Sequence, residues 1–222
     1  MIDSDLRGRT LLRYFKAAAG ENGAAVSLTV GQPYCAILRP VATRPERINA
    51  SDVRCLTQWR NRYVNSFLNE FEATEQQTTS WLTNTVGPDD TRILFMVDEP
   101  NSRTFAYMGL AYIDWEKSYV EADAIVRGEP AQPGTMGRSL KALLSWAHHH
   151  LGLKKMHVRV RSDNHALGFY NKIGFSELKR VPLRKTTNAD KSVTWVEDGS
   201  MSVSSVQLVY MRMEPRKYNE ET

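Results

Sequence analysis

Residues 158–175 read VRVRSDNHALGFYNKIGF, and this stretch carries most of the information about the fold. Residues 156–160 alternate between apolar and polar side chains, which is the pattern of a half-buried β-strand. Residues 165–173 are predicted to form a short helix, and Gly174 follows at the position where glycine commonly ends a helix. Residues 175–181 are predicted to begin another strand. The stretch is therefore predicted to be a strand–helix–strand unit.

A second unit lies just upstream. Residues 121–127 alternate in the manner of a strand, and the loop 128–133 leads to Gly134. Residues 136–151 place apolar side chains at three- and four-residue steps, which predicts an amphipathic helix. Glycine at the start of a helix lets an anion approach the unpaired backbone N–H groups and the positive end of the helix dipole. The unit therefore has the form of a phosphate-binding strand–loop–helix.

The remaining elements are shorter. Thr74 and Gln77 fit a capping box, which marks the start of a helix. Predicted helices cover residues 5–19, a segment beginning at 52 and another beginning near 74; predicted strands cover 25–30, 35–41, 92–97, 106–114 and 203–213. Residues 182–202 show no regular pattern and are predicted to be an irregular excursion.

Strands interleaved with helices predict an α/β (α+β) protein with a central mixed, twisted sheet flanked by helices. Residues 36–213 are predicted to form this single domain. Residues 1–35 are expected to be an N-terminal extension packed on it, and residues 214–222 a frayed tail.

Composition and charge narrow the function classes. The 222 residues carry a formal net charge of +4, and the basic ones are scattered without a nucleic-acid-binding motif, so no nucleic-acid partner is expected. The polar start and the lack of an apolar run of about 20 residues predict a cytoplasmic protein with no membrane partner. Cys35 and Cys55 fit no metal-ligand spacing, and the consecutive His148, His149 and His150 point in different directions on a helix. No metal is expected.

The stretch 158–175 resembles the GNAT superfamily of coenzyme A-dependent N-acyltransferases. In that family a strand ends in Asn, and the following helix reads A-x-x-F/L-Y-x-K-x-G-F. The matching residues are Asn164, Ala166, Phe169, Tyr170, Lys172, Gly174 and Phe175. The resemblance implies the GNAT fold and acetyl-CoA, or another short acyl-CoA, as the cofactor. It implies cofactor contacts at Asn164, Ala166, Phe169 and Lys172, at the main chain of Ile125 and Val126, and at Gly134, Thr135, Met136, Gly137 and Arg138.

The phosphate loop departs from the family pattern Q/R-x-x-G-x-G/A. With Gly134 as the first glycine, Ala131 stands at the Q/R position and Met136 at the second glycine position, while Gly137 comes one residue late. Some sugar-modifying members have a similar P-G-x-M loop. The departure keeps a non-catalytic CoA-binding module as an alternative, against which the intact helix motif argues.

Transfer of an acyl group to an amine needs a base for the amine and a proton for the leaving thiolate. The resemblance assigns the acid role to Tyr170. Glu121 and Asp123 share one face of the predicted strand on which family bases often lie, and one of them is predicted to take the proton, directly or through water. Asp114, at the end of the preceding strand, is a third candidate base.

The acceptor is predicted from Trp59, Arg60 and Asn61, which resemble GNAT members that acylate nucleotide-linked amino-deoxy sugars. Trp59 would stack on a base or sugar and Arg60 would meet a phosphate; a buried tryptophan beside a surface arginine is the equally open structural alternative. The acceptor is thus expected to be a small molecule such as a dTDP-amino sugar of surface-polysaccharide (lipopolysaccharide) biosynthesis. Acetylation of a protein N-terminus or a ribosomal protein remains an alternative, and a homodimer is one assembly that the additional segments 1–35 and 182–202 would allow.

Overall fold

The computed structural model describes residues 4–20, 26–202 and 204–214. The strands are β1 Leu28–Val30, β2 Ala36–Pro40, β3 Asn69–Glu70, β4 Ile93–Asp98, β5 Thr104–Asp114, β6 Tyr119–Arg127, β7 Lys155–Arg161, β8 Phe175–Thr187, β9 Val193–Glu197 and β10 Gln207–Met213. Across the described residues they form one sheet in the order β1-β2-β4-β5-β6-β7-β10-β8-β9-β3. β6 and β7 are parallel, and the other paired strands are antiparallel. The predicted mixed α/β fold is confirmed.

The helices begin and end largely where the sequence signals lie. They are α1 Ser4–Ala18, α2 Ala50–Arg62, α3 Glu75–Trp81, α4 Thr135–Leu151 and α5 Ala166–Ile173, with a π-helical turn Leu82–Val86 after α3 and 3-10 turns Pro45–Arg47 and Val64–Ser66. Thr74 and Gln77 form the predicted capping box of α3. Gly152 and Gly174 end α4 and α5 with φ of 75° and 115°, in the left-handed region that glycine adopts without strain.

Two groups of helices cover the two faces of the sheet. α1, α4 and α5 lie over the main core, where the rings of Phe15 in α1 and Trp146 in α4 are 4.8 Å apart. α2 and the turn after α3 lie over the opposite face of the first half of the sheet, where Trp59 and Leu82 join Leu94. A third, smaller cluster lies in the second half of the sheet, where Leu183, Val206 and Leu208 are buried and Trp195 and Tyr210 pack against them.

β6 and β7 are neighbours for only part of their length. Their parallel register covers Tyr119–Lys155, Val120–Met156 and Glu121–His157. Beyond Glu121, the β7 side of β6 has no strand partner in the described chain. On its other side, β6 carries a β-bulge between Asp123 and Val126, where Ala124 has a φ of 51°. The two strands therefore open a gap in the middle of the sheet.

The prediction of an irregular excursion over 182–202 is wrong for much of its length. β8 continues to Thr187 and pairs with β9 as a hairpin, closed by a hydrogen bond from the Asn188 N–H to the Ser192 carbonyl. Most β8 side chains are exposed on both faces, so the strand lacks the apolar alternation by which strands are recognised. The two-residue strand β3 adds to the outer edge of β9.

The N-terminal segment is part of the main core. Leu12 is fully buried, and Lys16 donates hydrogen bonds to the carbonyls of Val86 and Asp89. Strand β1 pairs with β2 and begins at Leu28, and residue 25, the first of the strand predicted over 25–30, lies outside the described residues. The late strand begins at Gln207 rather than 203, and residues 215–222 of the predicted tail also lie outside. None of the described helices has the length and apolar character that a membrane crossing requires.

Candidate active site

Asp123 lies on β6 at the start of the bulge, opposite Gly109 of β5. Its side chain is half-buried, and burial raises the pKa of its carboxyl above the ordinary aspartate value. The positive charges of Arg92 and Arg159 oppose this rise, and the negative charge of Glu121 adds to it. A carboxylate with a raised pKa is a stronger base than an ordinary aspartate.

Glu121, two residues earlier on the same face, has a different environment. It is 7% exposed, and both of its oxygens are engaged: Oε1 accepts from the Tyr119 hydroxyl and Oε2 accepts from Arg159 Nε at 2.6 Å. The third candidate, Asp114, pairs with Lys117 at 2.7 Å, which holds the pKa of its carboxyl below the usual range. Of the three predicted bases, Asp123 is the one whose carboxyl makes no side-chain ion pair among the described residues.

Tyr170 on α5 is 6% exposed. Its ring contacts those of Phe169 and Phe175, with centroids 5.4 and 5.8 Å away. Burial, followed by the negative charge of Asp123, raises the pKa of the Tyr170 hydroxyl. The effect of Asp123 on Tyr170 means that the fold brings two of the predicted catalytic residues, one from β6 and one from α5, into electrostatic range of each other.

The main-chain groups predicted to contact the cofactor lie at the gap between β6 and β7. Ile125 lies within the bulge and Val126 directly after it, on the part of β6 that has no β7 partner. Unpaired main-chain groups at the middle of a sheet need partners, because buried N–H and C=O groups are costly when left alone. An extended chain such as pantetheine, laid between the strands, supplies such partners. The gap therefore fits this part of the cofactor.

The N-terminus of α4 fits the anionic part. Gly134 precedes the helix with a φ of 83°, no side chain caps the helix, and a Cβ on Gly134 would meet only Arg138 Nη1, at 3.8 Å. Thr135 is buried, and Arg138 donates to Cys35 Sγ at 3.2 Å and to Thr135 Oγ1 at 3.4 Å. The first turn of α4 is therefore open to a phosphate, with Arg138 held close to it.

Gly137 has a packing role. A Cβ on Gly137 would lie 2.8 Å from Ile173 Cδ1, so the glycine allows α4 to approach α5. Met136 is half-buried and packs against the main core.

The predicted contacts on α5 divide into capping, packing and exposed residues. Asn164 Oδ1 accepts the Ala166 N–H at 2.8 Å, and its Nδ2 donates to the Ser66 carbonyl at 3.4 Å, so this side chain organises the start of the helix. Ala166 and Phe169 pack against the main core, and Lys172 is exposed. The main-chain groups at the helix start and Lys172 are the parts left to meet a ligand.

The assignment of Trp59, Arg60 and Asn61 to the acceptor is corrected by their contacts. Trp59 is 2% exposed, stacked on Tyr107 with centroids 6.2 Å apart. Arg60 donates to the carbonyls of Asn69 and Phe71, and its guanidinium lies 3.8 Å from the Phe71 ring centroid. Asn61 pairs with both main-chain groups of Ala73 at 2.8 Å. These residues therefore have structural roles: Trp59 is a buried aromatic residue, and Arg60 and Asn61 hold the segment after α2 in place.

The sequence analysis did not single out Arg92, Tyr112 and Arg159. Arg159 occupies a polar position in the alternation of β7, and this pattern predicts which face of the sheet it lies on. The pattern does not predict its ion pair with Glu121. Arg92 Nε is buried without a hydrogen bond and lies 3.8 Å from Asp89 Oδ2. No local pattern marks it, because it reaches the site only through the pairing of β4 with β5. Among the described residues, no group of His, Cys, Asp and Glu has the arrangement of a metal site.

The family model described as "Acetyltransferase (GNAT) domain" matches residues 38–176, more than half of the chain. The chain belongs to the GNAT acetyltransferase family. It is an acyl-CoA-dependent N-acyltransferase, as the resemblance implied.

Solved GNAT structures share the fold. The spermidine N-acetyltransferase from Vibrio cholerae in complex with CoA and spermine has a TM-score of 0.62 at 16% identity, covering 83% of this chain and 98% of that chain. A chimera of the Vibrio cholerae enzyme SpeG and hSSAT has a TM-score of 0.60 at 17% identity, covering 84% and 99%. No curated protein was found to match the chain. These structures are of spermidine acetyltransferases, whereas the sequence resemblance pointed to members that act on amino sugars.

Proposed function

We propose that this GNAT enzyme transfers an acetyl or other short acyl group to the amino group of a nucleotide-linked amino-deoxy sugar, with Asp123 as base and Tyr170 as acid. The observation that carries the residue roles is that Asp123 and the buried Tyr170 lie within electrostatic range of each other, with the pKa of each group raised mainly by burial. Groups with perturbed pKa values that lie close together are typical of a catalytic site.

Asp123 would take the proton that the acceptor amine must lose before it attacks. An amine reaches the enzyme largely as an ammonium ion at neutral pH. The raised pKa of Asp123 lies closer to the pKa of the ammonium group than that of an ordinary aspartate does, which favours this proton transfer. Arg159 would hold Glu121 in place through their ion pair, so that Glu121 has a positioning role in the site.

Tyr170 would supply the proton that the leaving thiolate needs. Its raised pKa keeps the hydroxyl protonated at neutral pH, and no described residue forms a hydrogen bond with it. Acyl-CoA supplies the activated thioester. The main chain of Ile125 and Val126 would bind and orient it, and the first turn of α4 would hold the phosphates.

The charges beside Asp123 bear on the acceptor. Arg92 and Arg159 both influence the pKa of Asp123, so two guanidinium groups lie within electrostatic range of the base. Glu121 pairs with Arg159, and Arg92 lies 3.8 Å from Asp89, so the charges around the base are close to balanced. The two guanidinium groups nevertheless offer hydrogen-bond donors to a phosphate. This favours a sugar nucleotide over a polyamine, the acceptor named for the solved structures.

Thiol release from acetyl-CoA would test the acceptor. The enzyme would be assayed against dTDP- and UDP-linked amino sugars, spermidine and an N-terminal peptide at matched concentrations. The highest kcat/KM is expected for a nucleotide-linked amino sugar. A response to spermidine or to the peptide alone would contradict the acceptor, and CoA binding without thiol release from any amine would contradict catalysis.

Tyr170→Phe would test the acid. The variant is expected to lower kcat by about 10²-fold, the lower range of acid–base contributions, with little change in KM. Because the ring packing is kept and the hydroxyl makes no hydrogen bond with described residues, the melting temperature should not change. An unchanged kcat would remove Tyr170 from the mechanism.

A further inference from the structure

A row of alternating aromatic and cationic side chains crosses four strands beside the candidate active site. Tyr112 of β5, Arg159 of β7, Tyr210 of β10 and Lys179 of β8 form this aromatic–cation row. The Arg159 guanidinium carbon lies 4.6 Å from the Tyr112 ring centroid and 6.0 Å from that of Tyr210. Lys179 Nζ lies 4.4 Å from the Tyr210 centroid. Arg159 and Lys179 are the register partners of Tyr210 on its two sides, so the row runs straight across the sheet.

The row lies next to the proposed base, Asp123. Arg159 binds Glu121, and Asp123 follows Glu121 on the same face of β6. At the other side of Tyr112, the Arg92 guanidinium lies 5.8 Å from its ring centroid. A ligand that presents its amine to Asp123 therefore meets the row directly.

The row is open to solvent and one of its members is turned outward by a bulge. Tyr112 is 51% exposed and has a φ of 54°, an uncommon conformation for a bulky residue. Leu110 and Ile113, on either side of it, both face the main core. The register shift between Ala111 and Asp114 inserts Tyr112 between them and directs its ring away from the core. Lys179 is also exposed.

The row has the length and chemistry of a nucleotide site. Three strand intervals separate β6 from β8, which is about 14 Å at the usual strand spacing. This accommodates a pyrophosphate and a nucleoside beyond the amine. Tyrosine rings provide stacking surfaces for a base, and the cations provide partners for phosphate. Glu197 Oε1 accepts a hydrogen bond from the Tyr210 hydroxyl at 2.6 Å, which fixes the orientation of that ring within the row.

We propose that the aromatic–cation row binds the nucleoside-phosphate portion of the acceptor while its amine lies at Asp123. This inference rests on the proposed function and names the surface that would select the acceptor. Lys179 and Arg159 meet the phosphates, and the ring of Tyr112 or Tyr210 stacks on the base. The cofactor, in contrast, is assigned to the gap and the first turn of α4.

Calorimetric titration of UDP and dTDP would test the row directly, with CoA present at saturation to block the cofactor site. Lys179→Ala and Tyr112→Leu are expected to weaken nucleotide binding about 10-fold, in line with the worth of one stacked base or phosphate contact. Arg180→Ala removes the same charge one residue away on the opposite face, where Arg180 pairs with Glu177. Tyr14→Leu removes a tyrosine that is 58% exposed on α1. Both controls should bind like the wild type.

Kinetics provide a second readout. In Lys179→Ala, the ratio of kcat/KM for the nucleotide-linked amino sugar to that for the free amino sugar should fall about 10-fold, mainly through KM. The inference is overturned if nucleotide does not bind at millimolar concentration, if CoA displaces it, or if the controls weaken binding as much. Failure of the proposed function is seen in the thiol-release assay instead, as release with spermidine or the peptide alone or as no release with any amine.

Discussion

Two carboxylates that look equivalent in the sequence have different environments in the folded protein. Glu121 and Asp123 lie on one face of β6, but Glu121 is fully engaged by Tyr119 and Arg159. Asp123 has no such partner, and burial raises its pKa. Alternation along the strand identified both residues. Their different environments depend on Arg159, which arrives from β7, and no local pattern gives that contact.

Asp123→Asn is expected to lower kcat/KM by about 10²–10⁴-fold, the usual contribution of a general base. In the wild type, kcat/KM should rise with pH as Asp123 loses its proton. Because its pKa is raised, this rise should occur at a higher pH than for an ordinary aspartate. The pH profile of thiol release measures both effects.

Glu121→Gln is the matched comparison. It should reduce activity by a smaller factor without removing the acid limb of the pH profile, since Glu121 is expected to position Arg159. If both amide variants keep full kcat/KM across the pH range, neither carboxylate is the base.

At the scale of elements, α2 is held against the phosphate loop by a tryptophan and a glycine. The Trp59 ring packs so closely that a Cβ on Gly128 would lie 1.9 Å from its atoms, and Trp59 Nε1 donates to Glu129 at 3.2 Å. Trp59, which was predicted to bind the acceptor, therefore holds the loop that leads to α4. The sequence predicted this helix and its tryptophan. It did not predict the contact of Trp59 with Gly128, because the two residues are far apart in the chain.

Gly128→Ala is expected to destabilise the protein by at least about 1–3 kcal/mol, because neither the backbone nor the buried ring has room to move. Gly168→Ala is the matched control: a Cβ there meets nothing within 4 Å, and Gly168 lies inside α5. Alanine there should stabilise the protein by about 0.5–1 kcal/mol through helix propensity. Urea denaturation measures both, and equal effects would contradict the close packing at Trp59.

At the scale of the whole molecule, the N-terminal helix belongs to the main core. Leu12 and Phe15 join the cluster formed by the sheet and α4, although both lie outside the residues 38–176 that match the family. The sequence predicted a helix over residues 5–19 of this N-terminal segment. Its docking against α4 follows from tertiary contacts, including the ring contact of Phe15 with Trp146.

Leu12→Ala is expected to cost about 2–5 kcal/mol, the range for a buried leucine truncated to alanine. Leu6→Ala is the control, since Leu6 lies on the same helix and is 57% exposed. It should change stability by no more than about 0.5 kcal/mol. Similar unfolding free energies for the two variants would show that α1 does not contribute to the core in solution.

Local patterns were sufficient for most of the strands and helices, for the helix end at Gly174, and for the family. These features depend on neighbouring residues, whose spacing and backbone preferences are written in the chain. The motif over 158–175 was correspondingly informative. The hairpin of β8 and β9 was missed because its exposed side chains lack apolar alternation.

The site depended on contacts between residues far apart in the chain. Folding places Arg159 beside Glu121, buries Trp59 against Gly128, and brings Asp123 and Tyr170 into electrostatic range. Burial and charge, which distinguish a base from a structural carboxylate, are properties of the surroundings rather than of the residue type. The sequence was thus sufficient for fold and cofactor class, while the roles of individual side chains emerged from the packing of β6 against its neighbours.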